Sequence, residues 1–152
     1  MNAPASSMDA PIHALAALRT HAYAYPLLEV VHILGIALLL GNLVLLELRV
    51  WGLAPELPVK PLAQATLWLV VCGFLLVAAS GLLMFASQPL ELIANRAFLL
   101  KVCLLMLAAA NAAWFHSRGS LVKLDRLAKF QTLLSACIWV AVVACGRWIA
   151  YL

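Results

Sequence analysis

Glu29 and His32 in the first long apolar stretch, Lys101 in the third and Arg147 in the fourth all fall in the outer third of their stretches. Ionisable groups are costly in hydrocarbon, so those that persist there point toward protein or water. Glu29 and His32 are three residues apart and share a helical face, with Gly35, Asn42 and Arg49 continuing the stripe. An imidazole at this depth either makes a structural hydrogen bond or takes a proton, a ligand or a metal. A lysine ammonium one turn inside a span either snorkels or pairs with a carboxylate or ligand. We therefore expect a ligand-binding layer of His32, Lys101, Arg147 and Glu29, in which His32 is the one candidate metal ligand and Glu29 the carboxylate partner. At Arg147 the competing expectation is an interfacial anchor formed with Trp148 and Tyr151.

The elements that must carry this layer are membrane helices. Hydrophobic residues make up 66% of the 152-residue chain and charged residues 11%, where a soluble domain carries about 25% charged. A spanning helix needs about 20 mainly apolar residues. The chain has four such stretches, at Pro26 to Leu48, Leu62 to Ala86, Ala97 to Phe115 and Leu133 to Leu152. The expected fold is all-α, an integral membrane four-helix bundle over 26–152. It is preceded over 1–25 by a tail and a short amphipathic helix from Pro11 to Tyr25, which Asp9 can cap and which would lie at the membrane surface. Met1 to Ala10 lacks Lys and Arg, so this segment does not read as a cleavable signal.

Four spans put both termini on one side. Arg49, Lys60, Arg118, Lys123, Arg126 and Lys129 flank the first and third loops, against Arg19, Arg96, Lys101 and Arg147 on the other side. The excess of basic residues predicts those loops in the cytoplasm and both termini outside, which is periplasmic for a bacterial inner-membrane protein. Basic residues spread along helix ends mark topology, so the net charge of +4 does not imply a nucleic-acid partner. The expected partners are the lipid bilayer and a second membrane protein or a second copy of the chain.

The remaining polar and small residues read mainly as packing. Thr66, Gly73, Ser80 and Ser87 recur every seven residues on the second span, with Gly81 beside them, and small residues let helices approach closely. Asn111, within an alanine-rich run, is expected to hydrogen-bond between helices. Gly73, Ser80 and Asn111 are thus assigned structural roles. Cys72, Cys103, Cys137 and Cys145 form no close pair or zinc spacing and read as small apolar residues. Copper would prefer soft donors, and Cys103, Cys145 and Met84 lie at suitable depths without forming a tight motif. A haem b between histidines meets a geometric obstacle, because His32 and His116 fall near opposite membrane faces; only His13 or His21 could fold back toward His32.

The segments YPLLEVVHILGIALLLGNLVLLELRVWGL, SGLLMF, NRAFLLK and GRWIAY resemble a family of small bacterial four-helix inner-membrane proteins, a resemblance that runs from Tyr25 almost to the end of the chain and includes His32, Lys101 and Arg147. The third span, with Lys101 and the Ala/Asn-rich stretch, also resembles the membrane domain of copper-resistance D-type proteins over about a quarter of the chain. The first resemblance implies the fold and a bacterial inner-membrane home, and neither implies a mechanism. Three functions fit these features. One is a membrane protein handling a small ligand or metal ion near its outer face. The second is a b-type haem electron-transfer protein, and the third an accessory subunit of a larger complex. With no room for a soluble catalytic domain and no catalytic set, a self-sufficient enzyme is not expected.

Overall fold

The computed structural model describes residues 23–151. The interfacial helix expected from Pro11 to Tyr25 lies outside that range except for its last three residues. Of these, Ala24 and Tyr25 already belong to the first long helix.

Six helices follow in order: α1 (Ala24–Trp51), α2 (Val59–Ser87), α3 (Pro89–Ala94), α4 (Arg96–Ser117), α5 (Ser120–Lys123) and α6 (Arg126–Trp148). The long ones, α1, α2, α4 and α6, contain 28, 29, 22 and 23 residues and are apolar enough to cross a membrane. At 1.5 Å per residue they run about 33 to 44 Å, against a hydrocarbon core of about 30 Å. Large apolar side chains such as Trp68, Leu75, Leu82, Met106 and Val140 stand exposed along them. An aqueous surface of that kind would be unfavourable, whereas a lipid-facing one has no such cost. The protein is an all-α, multi-pass membrane bundle.

The helix ends follow from local chemistry. Gly52 closes α1 in the left-handed region (φ 88°), with its N–H and that of Leu53 returning to Arg49 and Leu48 carbonyls at 3.1 Å each. Pro58 precedes α2, and Pro89 opens α3. Asn95 caps α4, its Oδ1 accepting from Ala97 and Phe98 N–H at 2.9 and 3.2 Å. Asp125 caps α6 by accepting from Ala128 N–H at 2.8 Å.

That last cap moves the fourth span. It begins at Arg126 and not at Leu133, and ends at Trp148. The apolar window starts late because Lys129, Gln131 and Thr132 interrupt it, yet Gln131 and Thr132 are buried inside the bundle. Gln131 Oε1 accepts from Ser120 Oγ at 2.9 Å, Asn111 Nδ2 donates to the Gln131 carbonyl at 3.0 Å, and Trp51 Nε1 donates to Thr132 Oγ1 at 2.8 Å. Arg118 joins the same network and pairs with Asp125.

The chain packs as two antiparallel hairpins. In the first, α1 and α2 touch along their length, backbone against backbone. A methyl group placed at Gly73 would lie 2.7 Å from Leu39 N and 2.9 Å from Gly35 O. In the second, α4 packs on α6 around Ala108, Ile138 and Val142. The hairpins meet through α1 against α6, and Phe85 stacks on Phe98 (centroids 5.5 Å apart) to join α2 to α4. Two membrane-facing ends result. One holds Tyr25, Gln88, Asn95 and Ile149, with Gln88 Nε2 donating to Tyr25 Oη at 2.9 Å and Asn95 Nδ2 to Ile149 O at 3.1 Å. The other holds Trp51 and Thr132.

Candidate functional site

Near the Tyr25 end the four long helices bring together a small polar layer. Its centre is His32 on α1. The Gly35–Gly73 approach sets the α1–α2 register that places His32 opposite Ser80, with Nδ1 2.9 Å from Ser80 Oγ. Ser80 has one hydroxyl hydrogen, and its shortest contact is to the Leu76 carbonyl at 2.6 Å. With that hydrogen committed to its own helix, Ser80 accepts from His32 Nδ1–H, and the Val77 carbonyl lies beside the ring as a second acceptor. This assigns the Nδ1–H tautomer and leaves the Nε2 lone pair free in the neutral ring. Ser80 therefore orients the imidazole as well as packing.

Lys101 arrives from α4. It is half-buried and close enough to His32 for their charges to interact, and Cys145 of α6 lies within similar reach of its amine. Lys101 makes no hydrogen bond or ion pair among the described residues. Two glycines make space for the pair. A methyl at Gly81 would sit 3.3 Å from His32 Cε1, and one at Gly146 would sit 3.3 Å from Lys101 Nζ. Every long helix thus contributes: His32 from α1, Ser80 and Gly81 from α2, Lys101 from α4, and Cys145 and Gly146 from α6.

The other two expected members stand apart. Arg147 is exposed, with its guanidinium 2.6 Å from Tyr151 Oη and its carbon 5.0 Å from the Tyr151 ring centroid. It is held to its own chain end, the arrangement of an interfacial anchor. Glu29 is exposed and forms no ion pair with His32, Lys101 or Arg147. The structure joins His32 to Lys101 and does not join Arg147 or Glu29 to them.

The metal and haem readings find little support in this geometry. No group of three or more His, Cys, Asp or Glu is placed to hold a metal among the described residues. Cys145 is buried and Cys103 exposed. A cation on His32 would also sit beside the Lys101 amine. His116 is exposed in the last turn of α4, fifteen residues beyond Lys101, or about 22 Å along the helix. His32 and His116 are too far apart to share one iron.

One ionisable residue escaped the sequence reading. Glu47 of α1 is 3% exposed, its Oε1 has no hydrogen-bond partner, and the Ser135 side chain of α6 lies beside it. Its signal was a place on the same stripe as Leu39, Leu46 and Val50, all buried. Compared with known protein families, with curated proteins and with solved structures, the chain matches none. The two resemblances accordingly rest on the quoted segments alone.

Proposed function

We propose that this protein binds a small anionic or hydrogen-bond-accepting ligand at the His32–Lys101 layer, within the membrane and near the Tyr25 end. The observation that carries the reading is a lysine with no ion-pair partner among the described residues, set beside an imidazole, with glycines facing both. A buried or half-buried ammonium is costly unless a negative or accepting group approaches it. Lys101 supplies up to three donors, and His32 supplies a ring held in orientation by Ser80. The donor set favours an anion over a metal cation, so the copper reading ranks below it. The excess of basic residues beside the first and third loops supports the reading that the Tyr25 end faces the periplasm of a bacterial cell. Ligand would then enter from outside.

Native mass spectrometry and metal analysis of protein purified in mild detergent test this reading. A ligand retained by the wild type and lost from both His32→Ala and Lys101→Met, at unchanged helix content, supports it. Equal retention in all three proteins removes the site from consideration. A metal lost with His32→Ala but kept by Lys101→Met would favour the metal reading instead.

A further inference from the structure

The two hairpins are tied unevenly along the membrane normal. At the Trp51 end, Val50 of α1, Phe115 of α4 and Ala128 of α6 share one buried apolar cluster. The Trp51 indole bonds Thr132 across the same junction at 2.8 Å. At the Tyr25 end the hydrogen bonds described above stay within a hairpin, Gln88 to Tyr25 in the first and Asn95 to Ile149 in the second. The Phe85–Phe98 stack crosses from one hairpin to the other there, with its rings 8° from parallel. Helix α2 packs far more closely on α1 than on α4.

The stack stands between the His32–Lys101 layer and the Tyr25 end. Phe85 is four residues beyond Gly81, the glycine that faces His32, and Phe98 is three residues before Lys101. Both spacings keep the ring on the same helix face as its neighbour in the layer. Because α2 and α4 run in opposite directions, both steps lead toward the Tyr25 end, by about 6 and 4.5 Å. Beneath the rings, His32 and Lys101 belong to different hairpins, and no hydrogen bond joins them among the described residues. Parting an aromatic pair leaves no buried polar group without a partner, whereas parting the Trp51 end would strand the Trp51 indole and its Thr132 acceptor. The Tyr25 end is therefore the cheaper one to open.

We propose that the two hairpins part at the Tyr25 end, turning about the Val50–Phe115–Ala128 cluster, and that the Phe85–Phe98 stack is the gate through which ligand reaches the His32–Lys101 layer. The gate rests on the ligand-binding reading of that layer for its purpose. His32 lies eighteen residues from Val50, about 27 Å along α1. A small rotation at the cluster thus becomes a wide separation at the rings, the pattern of a hinge closing over a site.

Amine labelling of the full chain tests the proposal. The probe is 2,4,6-trinitrobenzenesulfonate, a charged water-soluble amine reagent, applied in phosphatidylcholine nanodiscs, whose lipid has no primary amine to consume it. Peptide mass spectrometry gives the rate at Lys101 relative to the exposed Lys60. In the wild type Lys101 should react at least tenfold more slowly than Lys60. Phe85→Ala and Phe98→Ala should each raise the relative rate at least tenfold at unchanged helix content. Phe74→Ala, at an exposed position on α2 away from the layer, should leave it within twofold. Should the alanine variants fail to fold, Phe85→Leu and Phe98→Leu, which keep apolar bulk and lose the stacking, should still raise it at least threefold. A wild-type Lys101 as reactive as Lys60 overturns the gate, as does an unchanged rate in the folded Phe85 and Phe98 variants or an equal rise in Phe74→Ala. Labelling requires no bound ligand. A rise at Lys101 with no ligand retained by the wild type would therefore keep the gate and remove the ligand reading, and an unchanged rate with ligand retained would do the reverse.

Discussion

Gly73→Ala should loosen the α1–α2 hairpin and, through it, the His32 site. The added methyl would lie 2.7 Å from Leu39 N, 2.9 Å from Gly35 O and 3.0 Å from Leu39 Cα, all backbone atoms with no rotamer to escape into. Ordinary contact begins near 3.4 Å, so the helices must separate by about 0.7 Å. Overpacking of this kind costs about 1–3 kcal/mol, offset in part by the ~0.5–1 kcal/mol gained from alanine in a helix. The net loss is about 1–2 kcal/mol, or a fall in Tm of about 5 °C for a chain of this size. The same displacement carried two turns along would stretch the 2.9 Å His32–Ser80 bond to about 3.6 Å, past the hydrogen-bonding limit. Gly41→Ala is the control, because nothing lies within 4 Å of its added methyl; it should be neutral or slightly stabilising. Thermal unfolding in mild detergent measures both. Equal stability of Gly73→Ala and Gly41→Ala would refute the backbone-contact argument.

Three further outcomes are expected. Ser80→Ala should cost about 1 kcal/mol from the lost hydrogen bond and release the His32 ring, which nitrogen-15 spectra of labelled histidine would register as a changed tautomer balance. The Arg118 guanidinium and the Ala128 N–H hold the Asp125 carboxyl below its ordinary value of 3.8. The stability this supplies is complete above that value and is lost as pH falls through the lower folded value, so acid unfolding should set in at higher pH for the wild type relative to its neutral-pH stability than for Asp125→Asn, whose stability should vary less across that window. A reporter fused at the C-terminus should be active only in its periplasmic form, and cytoplasmic activity there would reverse the orientation.

Much of the architecture was legible in the sequence because the bilayer imposes it. Length and hydropathy locate four spans, and the seven-residue spacing of Gly73 and Ser80 anticipates a face on which a neighbour could lie. Depth along a helix could also be counted, which is why His32 and Lys101 were expected in one layer. Azimuth could not be counted in the same way. Arg147 shares the depth of that layer, but Tyr151, four residues on, captures its guanidinium on the exposed side; the i, i+4 spacing was the available clue. Glu47 was hidden for a different reason. It lies close to Arg49 and the end of the apolar run, where a carboxylate reads as belonging to the loop, and only the tertiary approach of α6 buries it. The start of α6 was displaced because Gln131, bonded by Ser120 and Asn111, and Thr132, bonded by Trp51, are held inside the bundle, while a hydropathy window counts both against a span.

Neither hairpin alone contains the His32–Lys101 layer: α1 and α2 supply one half, and α4 and α6 the other. The two halves could be made as separate polypeptides, and the layer would exist only where they associate. A ligand that binds there bridges a seam, so its binding free energy adds directly to the affinity of one half for the other, by RT ln(1 + [L]/Kd). Occupancy of the layer would in that case act as a latch on the membrane assembly itself, and the mutual affinity of two co-expressed halves would serve as a readout of ligand concentration.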